Sequence, residues 1–65
     1  MGENRLKEIR EARLMSKAEL ARLAGVSAVT IDRIERGEEC RMETKRKILV
    51  ALGIKLADRD KVFID

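Results

Sequence analysis

Apolar residues recur at the three- and four-residue spacing of a helix face in four successive segments of this chain. Leu6 and Ile9, followed after a turn by Leu14 and Met15, form the first stripe, flanked by Arg5, Lys7, Glu8, Arg10 and Glu11, and predict a helix over 4–13. Ser16-Lys17-Ala18-Glu19 then reads as a capping box, with the serine oxygen accepting the Glu19 N–H and the glutamate reaching back. The second helix runs through Leu20, Ala21, Leu23 and Ala24 and stops at Gly25, which tolerates a left-handed backbone. Only Val26 separates that glycine from Ser27, a second N-cap, so a third helix over 28–36 must follow at once, with Ile31 and Ile34 inward and Gly37 as its end. After a loop over 38–41, a fourth helix is predicted over 42–52, with Met42, Lys45, Ile48, Leu49 and Leu52 on one side and Gly53 as its stop. The tail is less regular. Ile54 and Leu56 alternate with polar residues, Arg59 and Asp60 follow, and the β-favouring Val62-Phe63-Ile64 holds the only aromatic ring, so a fifth helix is expected to be short or absent and residues 61–64 extended.

With 65 residues and no proline, the chain is one small all-α unit, near the lower size limit for a core without disulfides or metal. A single cysteine, Cys40, and no histidine exclude an internal disulfide and a zinc-type cluster, and Cys40 reads as a loop cysteine with no special role. No cofactor is expected. Without histidine, and with carboxylates scattered among basic neighbours, no nucleophile and base can be paired, so the chain is not expected to be an enzyme. No stretch approaches the ~20 apolar residues of a membrane span and the first residues lack a signal-peptide core, which leads to the expectation of a cytoplasmic, nucleoid-associated protein. The formal net charge of +3, with 42% charged residues, is a mild basic bias. Placement of the charges therefore matters more than their sum.

Residues 17–36, KAELARLAGVSAVTIDRIER, resemble the helix-turn-helix of the lambdoid phage repressor and Cro family, the Xre type. Small Ala21 allows close approach of two helices, Gly25 supplies the turn, and Leu20, Ala24, Val26, Ile31 and Ile34 fill the apolar positions that fix their angle. The resemblance extends over about 4–54, through Thr30, Glu35, Arg36 and Gly37 to Glu43-Thr44 and Ala51-Leu52-Gly53. It implies a four-to-five-helix bundle of lambda-repressor-like fold, with the DNA-binding domain over 1–56 and a tail over 57–65 as a possible dimerisation segment. It further implies base contacts from Ala28, Val29 and Arg33, and an internal ion pair between Arg10 and Glu35. Phosphate contacts are expected from Lys17, Ser27, Arg36, Arg41 and Lys45, several of them beside helix N-termini, where free N–H groups favour anions. The departures from the family pattern are Lys17 in place of a bracing glutamine, Leu14 where glycine often ends the first helix, the acidic Glu38-Glu39 loop, and the missing apolar fifth helix.

A major groove about 12 Å wide admits one α-helix, and the Arg33 guanidinium can bond both O6 and N7 of guanine. Ala28 and Val29 either touch thymine methyls or merely allow close approach; Asp32 either accepts from cytosine, orients an arginine or repels a phosphate. The resulting expectation is a homodimeric regulator of transcription, a repressor, bound to a palindromic double-stranded operator. An antitoxin with a toxin partner, a regulator met by an antirepressor, and an interaction module that has lost its operator are the competing readings.

Overall fold

The structure, a computed structural model, describes residues 4–64. Four α-helices, α1 (Leu6–Ala12), α2 (Lys17–Ala24), α3 (Ala28–Glu35) and α4 (Met42–Ala51), precede a 3-10 helix over Leu56–Lys61. The pattern places each α-helix correctly and overextends three of them: α1 starts after Asn4, Arg36 is the C-cap of α3, and Leu52 that of α4. Side-chain caps begin α2 and α3, where Ser16 Oγ accepts from Glu19 N–H at 3.0 Å and Ser27 Oγ from Thr30 N–H at 3.1 Å.

The two helices of the central hairpin are separated by a turn of a single kind. Gly25, at φ 73°, donates to Arg22 O while Val26 donates to Ala21 O, the paired bonds of a left-handed helix terminus. A Cβ at Gly25 would meet nothing within 4 Å, so the backbone angle and not space selects glycine there. The same two bonds close α1 from Leu14 and Met15, although the left-handed residue is now a leucine at φ 56°. Leucine is unfavourable in that conformation by about 1–2 kcal/mol. Its side chain is 93% exposed, which corrects the expectation that Leu14 belongs to the apolar stripe of the first helix.

Leu6, Leu20, Ile31, Ile48, Leu49 and Val62 are the largest fully buried side chains, one or more from each α-helix and one from the tail. Alanines at 21 and 24, both buried, let α2 lie close against α3 and α4. Met42, expected on the inner side of α4, is 86% exposed. The C-terminal segment completes the core: Val62 is fully buried and Phe63 6% exposed, Arg5 N–H donates to Val62 O at 2.8 Å, and Asn4 and Phe63 form an isolated antiparallel bridge. Of the three apolar tail residues, Val62 and Phe63 thus pack into the chain's own core and Ile64 is half exposed. Arg13 closes the other end of α4 by donating to Leu52 O. No helix among the described residues is long and apolar enough to cross a membrane.

Candidate nucleic-acid interface

Successive side chains on a helix are about 100° apart, so burial of Ile31 and Ile34 fixes what α3 presents to solvent. Ala28, Val29, Arg33 and Arg36 lie on the opposite face and are exposed, Val29 by 58%. Arg33 has no ion-pair or hydrogen-bond partner for its side chain among the described residues.

The inner edge of the same helix is anchored electrostatically. Arg10 donates from Nε and Nη2 to the two Glu35 carboxylate oxygens at 2.7 and 3.1 Å and from Nη1 to Met15 O at 2.8 Å. These side chains are 9% and 4% exposed. The hydrogen bond to Glu35 outweighs desolvation and holds the guanidinium above its ordinary pKa, so Arg10 is charged at every accessible pH. At the helix end, Asn4 Nδ2 donates to Ile34 O at 2.7 Å, while Asn4 Oδ1 accepts from Leu6 N–H at 3.1 Å. One asparagine, just before the Arg5 N-cap, thus takes the first N–H of α1 and bonds a terminal carbonyl of α3.

A second ionic cluster bridges α2 and α3 on their solvent side. Lys17 Nζ reaches Asp32 Oδ1 at 2.6 Å and Arg36 Nε reaches Oδ2 at 3.0 Å, one carboxylate oxygen for each cation. The hydrogen bond from Lys17, aided by the nearby positive charge of Arg36, holds the Asp32 carboxyl below its ordinary pKa. Lys17 therefore does brace α3, through an ion pair in place of the amide contact that a glutamine would make. Asp32 pairs with Lys17 and Arg36, which leaves its immediate neighbour Arg33 unencumbered. Ser27 Oγ is shared between the Thr30 N–H and the Thr30 hydroxyl at 2.9 Å, at the N-terminus of α3.

The remaining basic residues lie farther along the chain. Arg41 is exposed immediately before α4 and makes no side-chain cap. Lys45 is half-buried, with its ammonium 5.5 Å from the centroid of the Phe63 ring, in a groove of about 550 Å³ between α4 and the C-terminal segment. Phe63 and not an open surface is thus its neighbour. Cys40, in the loop before α4, is half-buried, and desolvation pushes its thiol pKa up, which disfavours the reactive thiolate. Among the described residues no group of histidine, cysteine or carboxylate side chains is placed to hold a metal ion.

Two short helices, the first capped by serine and ended by glycine, with a one-residue link to a second serine cap and an exposed face on the second helix, constitute a recognisable unit. A family model described as a helix-turn-helix domain matches residues 4–62. The chain belongs to the helix-turn-helix domain family. The match takes in the 3-10 helix and Val62. No curated protein matches the chain.

Sequence reasoning underused Asn4 and Asp32, which position the helix-turn-helix surface, and Arg13, which closes α4. The Asp32–Arg36 contact is legible as an i,i+4 pair. Lys17 is 15 residues away from Asp32, and nothing in the local sequence joins them.

Proposed function

We propose that this helix-turn-helix protein binds double-stranded DNA sequence-specifically and regulates transcription, with α3 in the major groove. The observation that carries the reading is the exposed face of α3, on which Arg33 stands without an ionic partner among the described residues, between the apolar Val29 and the tethered Arg36. An arginine free of internal partners can donate bidentately to guanine O6 and N7. Ala28 and Val29 sit beside it as small apolar surfaces for thymine methyls and close approach. In the preferred complex Lys17, Ser27, Arg36 and Arg41 contact phosphates and supply the salt-dependent part of its affinity. Lys45 is the weakest member of that set, because reaching a phosphate requires it to leave the Phe63 ring.

The sequence resemblance further supports a repressor of the lambdoid repressor and Cro type, acting as a homodimer on a palindromic operator. One reading helix spans too few base pairs for useful specificity, and two-fold pairing places a second about 34 Å away. With Val62 and Phe63 in the chain's own core, the apolar surface left for a second copy in the C-terminal half is Met42, Val50, Leu56 and Ile64. Selection of bound sequences from a random duplex library tests the reading: enrichment of a two-fold repeated motif is expected, and recovery of no preferred sequence refutes it. Sedimentation of the parent and of V50K/I64K tests the dimer, which a monomeric parent at high micromolar concentration excludes.

A further inference from the structure

Asp32 places a carboxylate on the solvent side of the helix that this protein would lay against a polyanion. We propose that Asp32 sets how strictly the protein discriminates among duplexes, by withholding Lys17 and Arg36 from the phosphates of arbitrary DNA. The inference rests on the DNA-binding reading above and names a specificity-determining residue within it.

Binding without sequence preference is almost wholly electrostatic: cations displace counterions from the phosphates, and affinity follows their number. On this surface two of the cations are already engaged, Lys17 at 2.6 Å and Arg36 at 3.0 Å, by the two oxygens of one carboxylate. A phosphate that approaches either cation must compete with Asp32 and meets its negative charge. The cluster is partly exposed, with the Asp32 side chain 30% and the Arg36 side chain 73% accessible, so a phosphate oxygen can reach it and the competition is real. Arg33 is not held in this way.

The two modes of binding feel this carboxylate differently. In a loosely docked, non-preferred complex, α3 lies near the phosphate walls, where Asp32 opposes binding and nothing offsets it. Seated in the preferred site, α3 lies deeper, where base edges offer donors such as the cytosine N4 amine to a carboxylate, and Arg33 contributes contacts independent of counterion release. The carboxylate therefore weakens arbitrary complexes more than the preferred one. It also holds α2 and α3 together through Lys17, so that Arg36 and Lys17 keep a fixed separation as the helix docks.

Fluorescence anisotropy of the full chain against a library-selected duplex and a scrambled duplex, over about 0.05–0.2 M salt, tests the proposal. Each cation freed in D32N adds about 0.9 to the slope of log affinity against log salt. For the scrambled duplex the expected outcome is a slope steeper by about 1–2 and an affinity raised about 3- to 10-fold at ~0.1 M salt, with a change of less than about 3-fold on the selected duplex. E8Q, an equal charge change on the exposed face of α1, controls for net charge. K17Q gives the same answer from the cation side: it should barely alter the scrambled-duplex slope of the parent but lower that of D32N by about 0.9. An unchanged preference ratio in D32N, an equal effect of E8Q, or the same K17Q effect in both backgrounds overturns the proposal and leaves DNA binding standing. A parent that binds neither duplex overturns both.

Discussion

Replacing Glu35 with alanine tests the internal architecture most severely. The substitution leaves the Arg10 guanidinium in a site where its side chain is 9% exposed, with Nε and Nη2 deprived of both carboxylate acceptors and only Met15 O still bonded. A buried ion pair adds little net stability as a pair, because desolvation consumes most of the Coulombic gain, but removing one partner strands the other and costs about 3–5 kcal/mol. A domain of 65 residues has a total stability of roughly 3–10 kcal/mol at about 0.05–0.15 kcal/mol per residue. E35A is thus expected to lose a third of its stability at the least and to unfold at the worst.

Urea unfolding followed by circular dichroism reads this directly, with a lowered midpoint and an unchanged slope. Thermal midpoints should fall by more than about 12 °C, at roughly 4–8 °C per kcal/mol for a domain of this size. R10A should behave alike, because the Glu35 carboxylate is then the stranded charge. The doubly apolar variant R10M/E35L should recover most of the loss, since it removes both desolvation penalties together. Single variants that melt within a degree or two of the parent, or a double variant as unstable as the sum of the singles, would show that the pair is not buried and coupled as described.

Leu14 occupies a left-handed position with an exposed side chain, so L14G should remove about 1–2 kcal/mol of strain against about 0.4–1 kcal/mol of unfolded-state entropy and raise the melting temperature by a few degrees; a lower one refutes the strain. R33A should cost about 1–3 kcal/mol on the preferred duplex and relax preference at one base pair per half-site, whereas equal losses on preferred and random duplexes would make Arg33 a phosphate contact. F63A should destabilise the fold by about 3–5 kcal/mol in chemical denaturation, and a parent-like midpoint would mean that the C-terminal ring is not part of the core. Asp32 has a lowered folded pKa, so its contribution to stability is complete above the ordinary carboxyl range and is lost only as pH falls through the still lower folded value. The part of stability that D32N removes should therefore be constant from pH 5 to 8 and vanish in strong acid; a D32N effect that varies between pH 5 and 8 contradicts the pairing.

The pattern made the helices and the turn between α2 and α3 legible because those features are local: serine caps, glycine stops and three-to-four spacing each act within one turn of backbone. What it misassigned depends on long-range contacts. Leu14 and Met42 look like core residues by type and spacing, yet the first falls on a left-handed turn and the second on the outer side of α4. Val62 and Phe63 read as part of a segment for pairing with a second chain, yet both are buried in this chain's own core, because apolar type alone does not say which chain covers them. Arg10–Glu35 is implied by the family resemblance, Asp32–Arg36 has a legible i,i+4 spacing, and Lys17–Asp32 depends on the angle between two helices.

These long-range contacts share one consequence for α3. Its N-terminal turn is fixed by Ser27, its solvent side by Lys17 through Asp32, its inner side by Arg10 through Glu35, and its Ile34 carbonyl by Asn4. Asn4 is in turn the residue bridged to Phe63, next to the Arg5–Val62 backbone bond. The C-terminal segment therefore does more than cover the core, since it positions Asn4, whose side chain ties the start of α1 to the end of α3. A helix that must meet base edges within a few tenths of an ångström gains from such redundancy, because no single exposed ion pair is strong enough to orient it. The buried Arg10–Glu35 pair and the Asn4 bond set its orientation from the protein side, and the exposed Lys17–Asp32–Arg36 cluster adds to that on the solvent side, beside Arg33.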